Sequence, residues 1–77
     1  MLVEIYGMPK CSYCEEAKNL CEELEMPYHY LMIDEHYNVF EFQKLFPQAT
    51  TFPQILINGI HIGGYSDFEE VLEMASE

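Results

Sequence analysis

Hydrophobic positions along this chain change spacing from segment to segment, and the spacing predicts the elements. "LVEIYG" alternates apolar and polar residues and ends in glycine, which predicts a strand over 2–6. From Ser12 to Glu25 the apolar residues Cys14, Ala17, Leu20, Cys21 and Leu24 recur at helical spacing, with glutamates on the opposite face. Pro27 is the expected stop. "YHYLMID" is rich in aromatic and β-branched residues and predicts a second strand. "NVFEFQKLF" sets Val39, Phe42 and Phe46 on one helical face and ends before Pro47. "QILIN" predicts a third strand, Asn58-Gly59 a hairpin turn, and "IHI" a short fourth strand. "SDFEEVLEMA" opens with Ser66 and carries Glu69 three residues on, a capping-box pattern, with Phe68, Val71, Leu72 and Ala75 as its apolar face. The predicted order is β-α-β-α-β-β-α, an α/β fold with a small four-stranded mixed sheet flanked by three helices. There is no repeat or linker, so residues 1–77 are expected to form a single domain.

Length and charge narrow what such a domain does. At 77 residues it buries a modest fraction of its surface, and a hydrophobic content of 49% argues for a core rather than disorder. The formal net charge is -11, with Lys10, Lys18 and Lys44 the basic residues, so a nucleic-acid partner is not expected. The acidity reads most simply as a solvated surface, or else as selection of a partner with a basic patch. No apolar run reaches the ~18 residues of a membrane span, and "MLVEIYG" lacks the basic and longer apolar segments of a signal peptide. A cytoplasmic location is therefore expected, where structural disulfides are rare.

Against that background "CSYC" is the segment that carries chemistry. Two thiols at this spacing begin a cystine staple, half of a metal site, or a redox centre. The cysteine count of 3 leaves one thiol over, which weakens the staple reading. Zinc needs further ligands. Cys21 lies two helical turns beyond Cys14, roughly 10 Å away, and His29, His36 and His61 have no paired metal spacing. Cys21 reads as a small core residue, His29 and His61 as strand surface residues, and His36 as a loop residue. Cys11 falls at the strand-to-helix junction, where free N–H groups and the positive end of the helix dipole favour a thiolate. Cys14 begins the buried stripe. That asymmetry makes Cys11 the attacking thiol and Cys14 the resolving one. Lys10 adds a positive neighbour, while Glu15 and Glu16 are expected to point away from the junction.

Two further segments narrow the reading. "TFPQILING" places Thr-x-Pro before a strand, and "HIGGYSDF" opens the last helix. With "CSYC" in this order, nearly the whole chain resembles a dithiol glutaredoxin of the thioredoxin fold, most like the short bacterial and viral members. The resemblance implies that Pro53 is a cis-proline that leaves the Phe52 backbone free to bind an extended peptide such as glutathione. It implies that Thr51 lines the same groove, with Tyr13 and Tyr65 as its walls. Gly63 and Gly64 let the backbone pass close to the ligand, and Ser66 and Asp67 hold the γ-glutamyl end at a helix N-terminus. Without the resemblance, Pro53 is a pre-strand proline, Ser66 an N-cap, and the tyrosines partial core.

Two positions depart from the family pattern. Met8 stands where a basic residue often holds the glycyl carboxylate, so Lys10 or Lys44 is expected to substitute. Ser12 replaces the proline of the common motif, restoring an N–H and a hydroxyl near the Cys11 sulfur. The expected activity is glutathione-dependent thiol–disulfide exchange by a monomer, with ribonucleotide reductase a possible protein substrate of the kind the family suggests. The alternative is a dimer around a [2Fe-2S] cluster held by Cys11 and glutathione, which some family members with Ser or Gly at this position form.

Overall fold

Strand β1 (Val3–Gly7) has two faces to cover. Val3, Ile5 and Gly7 are buried, while Glu4 and Tyr6 between them are half-buried on the other side. In the computed structural model, which describes residues 1–75, β1 is followed by α1 (Ser12–Glu23), β2 (Tyr28–Met32), α2 (Val39–Leu45), β3 (Gln54–Ile57), β4 (Ile60–Gly63) and α3 (Tyr65–Ala75). The sheet order is β2-β1-β3-β4. β1 runs parallel to β2 and antiparallel to β3, which pairs antiparallel with β4. This is the thioredoxin-like mixed sheet expected from the order of elements. Asn58 and Gly59 both have positive φ, 52° and 80°, as a tight hairpin turn between twisted strands requires.

The sheet separates two apolar clusters. On one side Val3, Ile5, Ile55 and Ile57 pack against Ala17 and Cys21 of α1 and Phe68 of α3. On the other Tyr37, Phe42 and Phe46 form an aromatic cluster with Tyr6, Leu31 and Leu56. Burying one such large side chain stabilises a fold by roughly 1.5–3 kcal/mol, so Phe46 and Phe68, both fully buried, anchor α2 and α3 to opposite faces.

Element ends differ from the periodicity for local reasons. α1 stops at a Schellman motif, not at Pro27: Glu25 takes φ 55°, its N–H donates to the Glu22 carbonyl, and Met26 N–H donates to the Cys21 carbonyl. Leu24 is thereby turned out to 51% exposure. β2 ends at Met32: the Ile33 N–H makes the last ladder bond, to the Gly7 carbonyl, and the chain then turns at Asp34, left-handed at φ 67°. The expected capping box at Ser66 and Glu69 is absent. α3 begins at Tyr65, and Asp67 accepts the Gly64 N–H at 3.0 Å instead. The capping box of this chain is on α2, between Asn38 and Glu41. It starts α2 so that Val39 is exposed and Tyr37, just before the cap, takes the buried place. Ala75 is exposed as well.

Tyr37 also supplies a long-range polar tie. Its hydroxyl donates to the Gly7 carbonyl at 2.7 Å, and burial pushes its pKa well up. It clamps the loop after β2 onto the end of β1, from which the Cys11 loop departs. Tyr37→Phe keeps the ring and removes one of the two hydrogen bonds to the Gly7 carbonyl, which still accepts the Ile33 N–H, a loss of about 0.5–1.5 kcal/mol. Urea denaturation of the variant should show an unfolding free energy lowered by that amount, seen as a lower midpoint with an unchanged slope.

Candidate active site

β1 delivers the chain into the segment 8–10, and Lys10 turns it with φ 58°, the left-handed region that a lysine seldom occupies. Cys11 follows as the N-cap of α1, extended at φ -111° and ψ 106°. Its Sγ accepts the Cys14 N–H at 3.2 Å, and its carbonyl accepts the Glu15 N–H at 3.2 Å. The first turn of the helix is thus aimed at a sulfur. Cys11 and Cys14 are joined as a disulfide with their Cα atoms 5.3 Å apart. Cys11 is half-buried and Cys14 fully buried, the asymmetry expected of an attacking and a resolving thiol. The donor on Cys11 is the Cys14 N–H; no hydrogen bond from Ser12 to this sulfur is formed among the described residues.

The Phe52–Pro53 peptide is cis, and Pro53 is buried at the entry to β3. A groove of about 810 Å³ opens here. Thr51, Phe52 and Pro53 line it together with Gly64, Ser66 and Asp67, and Tyr13 and Tyr65 wall it. The two tyrosine rings stack at 5.6 Å with an interplanar angle of 29°. No hydrogen bond among the described residues engages the Phe52 N–H or C=O. At the start of α3 the N–H groups of Ser66 and Asp67 belong to the unpaired first turn. Gly63 has φ 129°, and a Cβ there would run into the Asp67 carboxylate, so glycine is required for Asp67 to reach back to Gly64.

The structure divides the expected site residues between two grooves. Lys10 is not with the others. It lines a second groove of about 670 Å³ with Cys11, Ser12, Met8 and Tyr30. Lys44 is exposed on α2 and lines neither groove. Glu15, expected to point away, also lines the second groove, where Lys18 pairs with it at 3.3 Å and lies over the Tyr30 ring. That pairing offsets an acidic charge beside Cys11. Among the described residues no group of three or more His, Cys, Asp or Glu is gathered to hold a metal ion.

Sequence reasoning missed Gln54 and His61 in the first groove, along with Phe46 and the segment 47–49. His61 is exposed as expected of a strand surface residue, but its ring is engaged. Nε2 meets Gln54 Oε1 at 2.7 Å, and the ring packs on Phe46 at 4.6 Å. The signal was present in "PQIL", a glutamine at the first position of a buried strand. His36 lies in its loop, where Nδ1 accepts the Met32 N–H at 2.9 Å.

A CxxC disulfide at a helix N-terminus, together with a cis-proline before a strand of a four-stranded mixed sheet, defines a thioredoxin-fold redox protein. Residues 3–62 match the family described as Glutaredoxin. The chain is 36% identical to the glutaredoxin of Haemophilus influenzae over 80 aligned positions, which cover 95% of this chain and 92% of that one. The solution structure of reduced Escherichia coli glutaredoxin superposes with a TM-score of 0.82 at 33% identity, covering 96% and 95% of the two chains. A buckwheat glutaredoxin–glutathione complex shares the fold, with a TM-score of 0.76 at 23% identity over 95% of this chain and 69% of that one. The chain belongs to the glutaredoxin family, and it is a thiol–disulfide oxidoreductase. No helix among the described residues is long and apolar enough to cross a membrane.

The third thiol is set apart by its surroundings. Cys21 is fully buried, and burial, with Glu22 adding to it, pushes its pKa from 9.0 to about 11. The raised value means that the stability tied to the protonated thiol is complete below pH 9 and is lost as pH rises through about 11. At pH 8 the reduced protein should titrate two thiols rapidly with an aromatic disulfide reagent, and a third only after unfolding.

Proposed function

We propose that this protein reduces protein disulfides and glutathione mixed disulfides at the expense of glutathione. The observation that carries the reading is the Cys11 sulfur at the N-cap of α1, accepting a helix N–H on the same molecule that offers a cis-proline groove. A thiolate at Cys11 attacks the glutathionyl sulfur of a mixed disulfide, and the substrate thiolate leaves and takes up a proton. The glutathionyl group then stays on Cys11. A second glutathione thiolate attacks that sulfur, releasing oxidised glutathione and the Cys11 thiolate. With a protein disulfide, Cys11 forms the mixed disulfide and Cys14 displaces the second substrate thiol, leaving Cys11 joined to Cys14. Two glutathione molecules then restore the dithiol.

Glutathione fits the first groove in stated parts. Its cysteinyl backbone pairs with the free Phe52 N–H and C=O as a short added strand. Its γ-glutamyl carboxylate takes the N–H groups of Ser66 and Asp67, and its ammonium takes the Asp67 carboxylate. Thr51, Tyr13, Gly64 and Tyr65 complete the walls. Lys10 adds its positive charge from the second groove, which Cys11 also lines. The family suggests ribonucleotide reductase as such a substrate, and the chain is read as a single-domain monomer acting in the cytoplasm.

A coupled assay with glutathione, glutathione reductase and NADPH tests this. Cys11→Ser should abolish turnover on both substrate types, a loss of at least about a thousandfold for removal of the nucleophile. Cys14→Ser should lose protein-disulfide reduction but keep turnover of a glutathione mixed disulfide. Retained turnover in Cys11→Ser, or loss of both activities in a folded Cys14→Ser protein, would show the roles to be misassigned.

A further inference from the structure

Two residues of the first groove have no part in the steps above, and their hydrogen bonds have a direction. Gln54 is a buried polar side chain, 5% exposed, at the first position of β3. Its Nε2 donates to the Thr51 carbonyl at 2.9 Å and to Thr51 Oγ1 at 3.4 Å. A carbonyl only accepts, so the amide is oriented with its nitrogen toward Thr51 and its oxygen toward β4. There Oε1 meets His61 Nε2 at 2.7 Å, and that nitrogen must carry the hydrogen. Both the neutral ring with its proton on Nε2 and the charged ring meet this demand. His61 is in turn held by its packing on Phe46, a fully buried ring of the aromatic cluster.

We infer that His61 and Gln54 are positioning residues that hold Thr51 and the cis-Pro53 segment in the conformation that receives the glutathionyl group. The inference rests on the glutathione reading of this groove. The segment 51–53 lies between the end of the α2 region and β3, and Thr51 itself is exposed. Its carbonyl is fixed from below by a buried amide. Because Thr51 Oγ1 accepts from Gln54, its own O–H is left to donate into the groove. Loss of the amide leaves Thr51 to be ordered by the ligand, so the ordering cost falls on binding and not on the chemistry at Cys11. His61 is required because a glutamine amide free to flip would present its oxygen to the Thr51 carbonyl. The Nε2–H of His61 removes that choice.

The test compares Gln54→Met, His61→Phe and His61→Gln with the parent protein. Methionine keeps the length of Gln54 without its polar atoms. Phenylalanine keeps the contact with Phe46 without a donor, and glutamine at 61 restores an N–H at similar reach. In steady-state assays with a glutathionylated peptide, Gln54→Met and His61→Phe should raise KM by about five- to tenfold, the range of one lost neutral hydrogen bond. Their kcat, and the rate at which reduced Cys11 is alkylated, should stay near the parent values. His61→Gln should restore the parent KM. Unchanged KM in folded His61→Phe, or an equal defect in His61→Gln, would overturn the inference. Should Gln54→Met fail to fold, the pair of variants at the exposed His61 decides the matter. A parent protein inactive with glutathione would sink the functional reading instead. Backbone order parameters at residues 51 and 52 then test the positioning role alone: lower values in His61→Phe than in His61→Gln support it, and equal values overturn it.

Discussion

Helix α1 begins on a sulfur. The Cys14 N–H, which has no partner within the first turn of the helix, is accepted by Cys11 Sγ, so the residue that caps the helix is also one half of the redox pair. The rest of the site is arranged around it. β1 must end at Gly7 and the chain must turn through the left-handed Lys10 for Cys11 to take the N-cap position. Gly7 is tied by Tyr37 from the far side of the sheet, and a Cβ at Gly7 would crowd the Tyr30 hydroxyl and Cys14 Cβ. A redox centre built this way depends on the position of a strand end as much as on the two cysteines.

Polar groups placed inside the apolar layers take up specific partners. Tyr37 and Gln54 each satisfy a backbone carbonyl, at Gly7 and Thr51, and each of those carbonyls belongs to a segment that borders the site. Apolar packing on either side of the sheet holds the helices with little directional preference. These few buried hydrogen bonds supply direction, because each needs its donor and acceptor in one geometry, and the buried Gln54 amide would cost more unpaired than its bond contributes. The same logic explains the glycine pair before α3, where Asp67 caps its own helix through the Gly64 N–H only because Gly63 has no side chain.

Charge is distributed unevenly for a chain of net charge -11. Two of its lysines, Lys10 and Lys18, line the groove that contains Cys11, and Glu15 there is paired. Acidic side chains instead surround Tyr65, whose pKa is raised first by burial and then by Glu69, Glu16 and Glu23.

The sequence by itself determined the order of elements, the hairpin at Asn58-Gly59, and the pairing of a more accessible with a fully buried cysteine. Each of these follows from local signals: alternation, helical spacing, and turn residues that tolerate positive φ. The motif residues from Thr51 to Pro53 and from Gly64 to Asp67 could likewise be placed in one groove, through their resemblance to a family. Element ends were less legible, because Glu25, Asn38 and Gly64 end or start helices through hydrogen bonds that several nearby residues could equally have made. Only the tertiary structure decided which residues meet across the sheet. Gln54 and His61 are seven positions apart on neighbouring strands, and the register between β3 and β4 shifts between Ile55 and Leu56. No periodicity encodes that shift, so their contact, like the separation of Lys10 from the groove at Pro53, comes from how the strands pair and where the loops then lie.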